Sequence, residues 1–188
     1  MIDDLLRQAA DLKARYVDES IARRLPLDEG ELDVLRSVQG PAEGPIDGFP
    51  TLAKHVHRPI TPMLRARFAA FGRWTRATHG HWLSASDMAA LWGDPVDPLL
   101  REIREMREAA EENWPNEASA LFRPERRSLF AGSDVSNEKI YLLWLDFEDE
   151  PELWVYDSNG EGRYRDLGAY LTAYLEDDLS AFERPWRA

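Results

Sequence analysis

Residues 140–147 read IYLLWLDF, and nearly every side chain in the run is apolar. In an extended chain successive side chains point to opposite faces. Ile140, Leu142 and Trp144 therefore fall on one face, and Tyr141, Leu143, Leu145 and Phe147 on the other. A half-exposed strand would alternate apolar with polar residues. A strand apolar on both faces is central in its sheet and covered from both sides. This segment thus demands a sheet with further elements packed above and below it.

The surrounding segments extend the pattern. SLFAGSDV at 128–135 and ELWVY at 152–156 are short runs of strand-forming residues. DFEDEP at 146–151 reads as the connecting loop, ended by Pro151. After Asp157, the pair Asn159-Gly160 tolerates the positive φ of a tight turn. The period then becomes helical: Leu167, Tyr170, Leu171, Tyr174, Leu175 and Leu179 recur at three- and four-residue spacing, with Asp166 placed as N-cap. The expectation is three strands followed by one amphipathic helix.

Upstream, residues 3–16 predict a helix burying Leu5, Leu6, Ala9 and Leu12. A second, short helix starts at Asp28, with Glu31 at the capping-box position, continues through Leu32, Leu35 and Val38, and ends at Gly40. Five prolines in 41–62 predict loop, with an edge strand at 51–56. Residues 65–74 fit helix or strand equally. Residues 81–83 predict a strand, and Ser84 caps a helix through Asp87, with Met88, Leu91 and Trp92 inward. The strongest helix is 97–114, with Asp97 as N-cap and Pro98 in the first turn. Its stripe is Leu99, Leu100, Ile103, Met106, Ala110 and Trp114. Arg101–Glu105, Arg104–Glu108 and Arg107–Glu111 are solvated pairs worth roughly 0.2–0.5 kcal/mol each. With no repeat or linker in view, the expectation is one α+β domain over 1–188, with a mixed or mainly antiparallel sheet and helices packed around it.

Charge narrows the partners. The chain has a formal net charge of −12, which repels nucleic acid and anionic membranes and attracts basic proteins. Solubility alone also accounts for an acidic balance. The distribution is uneven. Residues 49–86 contain no Asp or Glu but hold Lys54, Arg58, Arg65, Arg67, Arg73, Arg76 and all four histidines. Residues 134–161 hold nine carboxylates against Lys139 alone. The two blocks either pair inside the fold or present opposite faces. There is no cysteine, so disulfides and thiolate chemistry are excluded. The N-terminal MIDDLLRQAADLKARY lacks the basic start and apolar run of a signal peptide, and no stretch reaches membrane-spanning length. A cytoplasmic protein is expected.

The chemistry-bearing patterns are sparse. His55-x-His57 and His79-x-His81 could each chelate if extended, and four imidazoles suit a transition metal. Their segment offers no carboxylate, and such short pairs arise by chance, so no metal or cofactor is expected. Phosphate-loop, GxSxG, HExxH and kinase-like patterns are missing. The carboxylates at 146–150 read more simply as a charged loop than as an acid–base pair.

The C-terminal block LFAGSDVSNEKIYLLWLD, ELWVYD and LGAYLTAYL resembles the SUKH superfamily of bacterial toxin-immunity proteins. LPLDEGELDVLRSVQG at 25–40 and HWLSASDMAAL at 81–91 are similar to two further elements of that family. Gln39-Gly40 replaces its usual Asn-Gly, and Leu167-Gly168 its Ser-Phe. The helix at 98–114 would be a family-variable element. The resemblance implies an α+β fold and a non-catalytic protein that neutralises a toxin by direct binding. A basic toxin domain, such as a nuclease, would meet an acidic face. The candidate partner-binding residues are Asp146, Glu148, Asp149, Glu150, Glu152, Asp157, Glu176, Asp177 and Trp186. The last three lie at or beyond the end of the final helix, where a helix dipole disfavours negative charge. A general regulatory or scaffold protein of the same fold, and a histidine-dependent metal protein or enzyme, are the alternatives.

Overall fold

A computed structural model describes residues 1–24, 36–93, 97–110, 123–133, 138–146, 148–157 and 160–178. In chain order the elements are α1 (Ile2–Arg24), β1 (Val38–Gln39), β2 (Phe49–Pro50), β3 (His57–Arg58), α2 (Pro62–Ala70), β4 (Trp74–Thr75) and β5 (His81–Trp82). These are followed by α3 (Ala85–Ala90), α4 (Pro98–Ala110), β6 (Arg127–Gly132), β7 (Lys139–Leu143), β8 (Glu152–Asp157), β9 (Gly160–Tyr164) and α5 (Leu167–Leu175). A 3-10 turn, Pro124–Arg126, leads into β6.

The protein is α+β. Seven strands form one sheet in the order β1-β4-β5-β6-β7-β8-β9, and β2 with β3 forms a separate two-stranded ribbon. Every pairing is antiparallel. The first half of the doubly apolar segment lies in β7, which is flanked by β6 and β8 and buried at every residue, but the strand stops at Leu143 rather than running on through Trp144 and Leu145 as the pattern predicted. Register sorts the side chains. Arg127, Leu129, Lys139, Tyr141, Leu143, Glu152, Trp154 and Arg163 share one face, and Ser128, Ile140, Leu142, Leu153, Val155 and Tyr164 the other. The second face meets α5, where the rings of Tyr164 and Tyr170 lie 5.3 Å apart. On the first, the wholly buried Lys139 reaches α4 through a 2.8 Å bond from its Nζ to Glu102 Oε1. Both sides of β7 are covered, as its sequence requires.

Several expectations need correction. The C-terminal block contains four strands, not three. β9, with the sequence GEGRY, is an edge strand, and its glycines hide it from any hydrophobic pattern. Gly160 adopts φ 137°, a conformation closed to other residues, as the Asn159-Gly160 pair suggested. α1 runs to Arg24 rather than stopping at 16. Most of the expected second helix lies outside the described residues, and its expected inward residue Val38 is instead an exposed edge-strand residue. The edge strand expected at 51–56 is the turn joining β2 to β3: Thr51 accepts and donates across it, and Val56 N donates to Ala53 O. The ambiguous stretch 65–74 divides between α2 and the start of β4. Helix α5 stops at Leu175, four residues before the expected Leu179.

Two predicted caps form. Ser84 and Asp87 make a reciprocal capping box on α3, and Asp166 Oδ1 accepts from Ala169 N at 2.8 Å on α5. One hydrophobic cluster runs from Leu6 and Ala9 of α1 to Leu171 of α5. Its tryptophans are core residues with satisfied indoles: Trp74 on Ser37, Trp82 on Thr78, Trp144 on Ser128 and Trp154 on Glu161. Trp114 and Trp186 lie outside the described residues.

Arg67 is the anomaly of the core. Its side chain is wholly buried. Nη2 donates to Leu83 O at 2.7 Å and Nη1 to Phe71 O at 3.4 Å. The guanidinium stands 4.2 Å from the Phe68 ring centre and 5.5 to 5.8 Å from those of Phe130, Phe71 and Trp82. Burial pulls it down to about 9, against the opposing pull of Glu43 and Asp87, so it stays charged at neutral pH. An aromatic box and two carbonyls hold this cation in place.

Candidate functional site

The acidic residues divide into those tied inside the molecule and those left at its surface. Asp146 sits just beyond β7 and binds Arg126 at 2.8 Å, with Arg58 at 3.6 Å. It therefore joins the β2–β3 ribbon to the start of β6. Glu152 is buried on β8 and paired with the equally buried Arg163 of β9. Asp157 ends β8 and lies 3.7 Å from His79 Nε2.

Glu150 has a duty that the sequence does not reveal. Its Oε1 accepts from Met63 N at 2.9 Å, at the second position of α2. Thr61, the N-cap of that helix, makes no side-chain capping bond. A carboxylate from a loop 87 residues away in sequence thus supplies the cap. Glu150→Ala should cost about 1 kcal/mol, and Glu150→Gln, which keeps an acceptor oxygen, a few tenths. Urea denaturation of both variants checks this.

Glu148 and Asp149 remain exposed at the connection between β7 and β8. Glu176 and Asp177 are exposed just past α5, together with Asp178. The backbone there forms a Schellman turn: Asp178 N donates to Ala173 O at 2.9 Å and Asp177 N to Tyr174 O at 3.3 Å. Asp177 takes the position usually filled by glycine, at φ 57°. Three carboxylates crowd the negative end of the helix dipole, and one occupies a left-handed conformation. Trp186 lies outside the described residues.

The basic block answers part of the acidic one. Arg58 faces Asp146, His79 faces Asp157, the Met63 amide meets Glu150, and Gly80 N donates to Glu138 Oε2 at 2.9 Å. Among the described residues the blocks thus touch at these four points, but of the four only Arg58–Asp146 pairs opposite charges; two of the others are backbone amides on carboxylates and the fourth is an imidazole 3.7 Å from one. The histidine pairs do not converge. His55 is exposed in the β2–β3 turn at φ 66°, and His57 is exposed on β3. His81 Nδ1 accepts from Arg76 N at 2.9 Å. Among the described residues, no three His, Asp or Glu side chains group as a metal site would need.

Asp157, His79 and Tyr170 follow the carboxylate–imidazole–hydroxyl order of a nucleophilic relay. The hydroxyl ends it. Tyr170 is fully buried, burial holds its phenol far above the ordinary range, and its proton goes to Thr78 Oγ1 at 2.6 Å. No substrate atom reaches that oxygen, so the relay is a structural network.

Fold and site together define an α+β protein with exposed carboxylates at one sheet connection and one helix end. Comparison with family models, with characterised proteins and with solved structures gives no match. Among the described residues, no helix is long and apolar enough to cross a membrane.

Proposed function

We propose that this chain is a non-catalytic binding module, an immunity protein of the SUKH kind that neutralises a basic toxin domain in the cytoplasm. One observation carries the reading: the acidic end of α5. Asp177 departs from the favoured residue at a left-handed position and adds charge where the helix dipole opposes it. Fold stability alone would select glycine there. The antiparallel sheet closed by a C-terminal helix, and the resemblance of that block to immunity proteins, support the same reading. Glu148, Asp149, Glu176 and Asp177 form the steering charges. Asp146, Glu150, Glu152 and Asp157 build the scaffold that presents them.

The test joins stability to binding. Asp177→Gly should stabilise the fold by about 0.5–1 kcal/mol in thermal denaturation while slowing association with the toxin. A quadruple reversal of Glu148, Asp149, Glu176 and Asp177 to lysine should abolish protection when chain and neighbouring toxin gene are co-expressed, and flatten the salt dependence of association. Full protection by the reversed variant overturns the acidic-face reading. Finding no toxin gene beside this one would favour a general regulatory protein instead.

A further inference from the structure

His79 lies where the β4–β5 connection, β8, α1 and α5 meet, and it is 8% exposed. Its position rests on Gly80, whose φ is 60° and whose missing Cβ would stand 2.8 Å from Gly132 O. Hydrogen bonding fixes the ring's protonation. Thr78 Oγ1 accepts from Trp82 Nε1 at 3.1 Å and from the Tyr170 hydroxyl at 2.6 Å. The single Tyr170 proton is thereby used. Its oxygen, 2.7 Å from His79 Nδ1, must accept from that nitrogen. Neutral His79 therefore carries its proton on Nδ1 and leaves Nε2 bare.

Bare Nε2 faces Asp157 Oδ2 at 3.7 Å. A lone pair facing a carboxylate makes no bond, and the separation exceeds hydrogen-bond range. A proton on Nε2 would turn this into a charge-assisted contact, closing the gap by roughly 1 Å. We propose that His79 is a proton-driven clamp: in mild acid it takes one proton from solvent on Nε2 and closes on Asp157. This ties the end of β8 to α5 through Tyr170, while the Nδ1–H bond stays in place.

The neighbouring charges set when the clamp closes. Burial pushes the imidazole below its ordinary range, Glu138 and Asp157 oppose that, and Lys13 of α1 adds to it. Arg76 stands near Lys13, and the rings of Tyr170 and Tyr174 complete the surroundings from α5. The clamp is open at neutral pH. Because the folded value lies under the unfolded one of about 6.5, the unfolded chain binds the proton more readily. The stability linked to His79 is complete above that value and declines as pH falls from it towards the folded value.

Histidine ring nitrogen and proton NMR on the whole chain tests the clamp. At pH 8 the wild type should show the Nδ1–H tautomer, and titration should show a midpoint below the ordinary histidine range. Asp157→Asn should move that midpoint further down, and Lys13→Met should move it up. Local opening at the end of β8, read from amide exchange corrected for the intrinsic rate at each pH, should be rarer in the wild type than in Asp157→Asn once His79 is protonated, even though global stability falls. An Nε2–H tautomer at pH 8 overturns the proposal. So does an unchanged midpoint in Asp157→Asn, a residue with a partly exposed side chain whose substitution keeps the shape.

Discussion

Arg67→Ala is expected to lower stability by about 3–5 kcal/mol, the upper range for truncating a large buried side chain. Three losses combine. A cavity opens among Phe68, Phe71, Trp82 and Phe130, the cation–ring contacts vanish, and the carbonyls of Leu83 and Phe71 lose donors. Arg67→Met separates these contributions. It fills most of the volume and removes a buried charge, yet leaves both carbonyls unserved at about 1–3 kcal/mol each. Methionine should therefore recover part of the loss but not all of it. Midpoints in urea at constant slope read both values. Equal stability of the methionine variant and wild type would show that the two carbonyl bonds contribute nothing net.

Glu152→Gln is the second large effect, expected at about 3–5 kcal/mol because it strips the charge from one member of a buried ion pair. Glu152 and Arg163 are each almost fully buried on adjacent strands. The double variant Glu152→Gln/Arg163→Met should regain most of the loss, since no buried charge of the pair then remains. Asp149→Lys, on the exposed loop nearby, should change stability by less than about 0.5 kcal/mol. Parallel denaturation of the three proteins separates an acid that builds the sheet from one that faces solvent. A large effect of Asp149→Lys, or none of Glu152→Gln, would reverse these assignments.

How far the chain could be read depended on the range of each interaction. β7 was legible because the apolar run that starts at Ile140 itself carries the constraint of two covered faces. The caps at Ser84 and Asp166 were legible because donor and acceptor lie three residues apart. β9 was not, because GEGRY has little hydrophobic signal and gains its strand from pairing with β8. Likewise β1 was read as part of a helix, since Val38 and Gln39 are extended only through Thr75 and Trp74. The acidic run shows the same limit. Its composition was plain, but the partners of Asp146, Glu150 and Asp157 come from distant segments. Only the fold separates those from Glu148, Asp149, Glu176 and Asp177. Arg67 gave no warning at all: within RARFAAF it reads as an ordinary surface arginine.

The contact between α1 and α5 has a consequence for synthesis. These are the first and last of the described elements, and they pack on each other. About 140 residues separate the end of one from the start of the other. At ribosomal speed that is a wait on the order of 10 s. The antiparallel strands β6 to β9 can pair as they emerge, each with the one made just before it. α1 also packs against α2, which follows about 40 residues later, but the part of its apolar side that meets α5 stays uncovered until that helix arrives. For that interval the newborn chain displays the α5-facing side of α1, which is the kind of surface that chaperones hold and neighbouring nascent chains stick to.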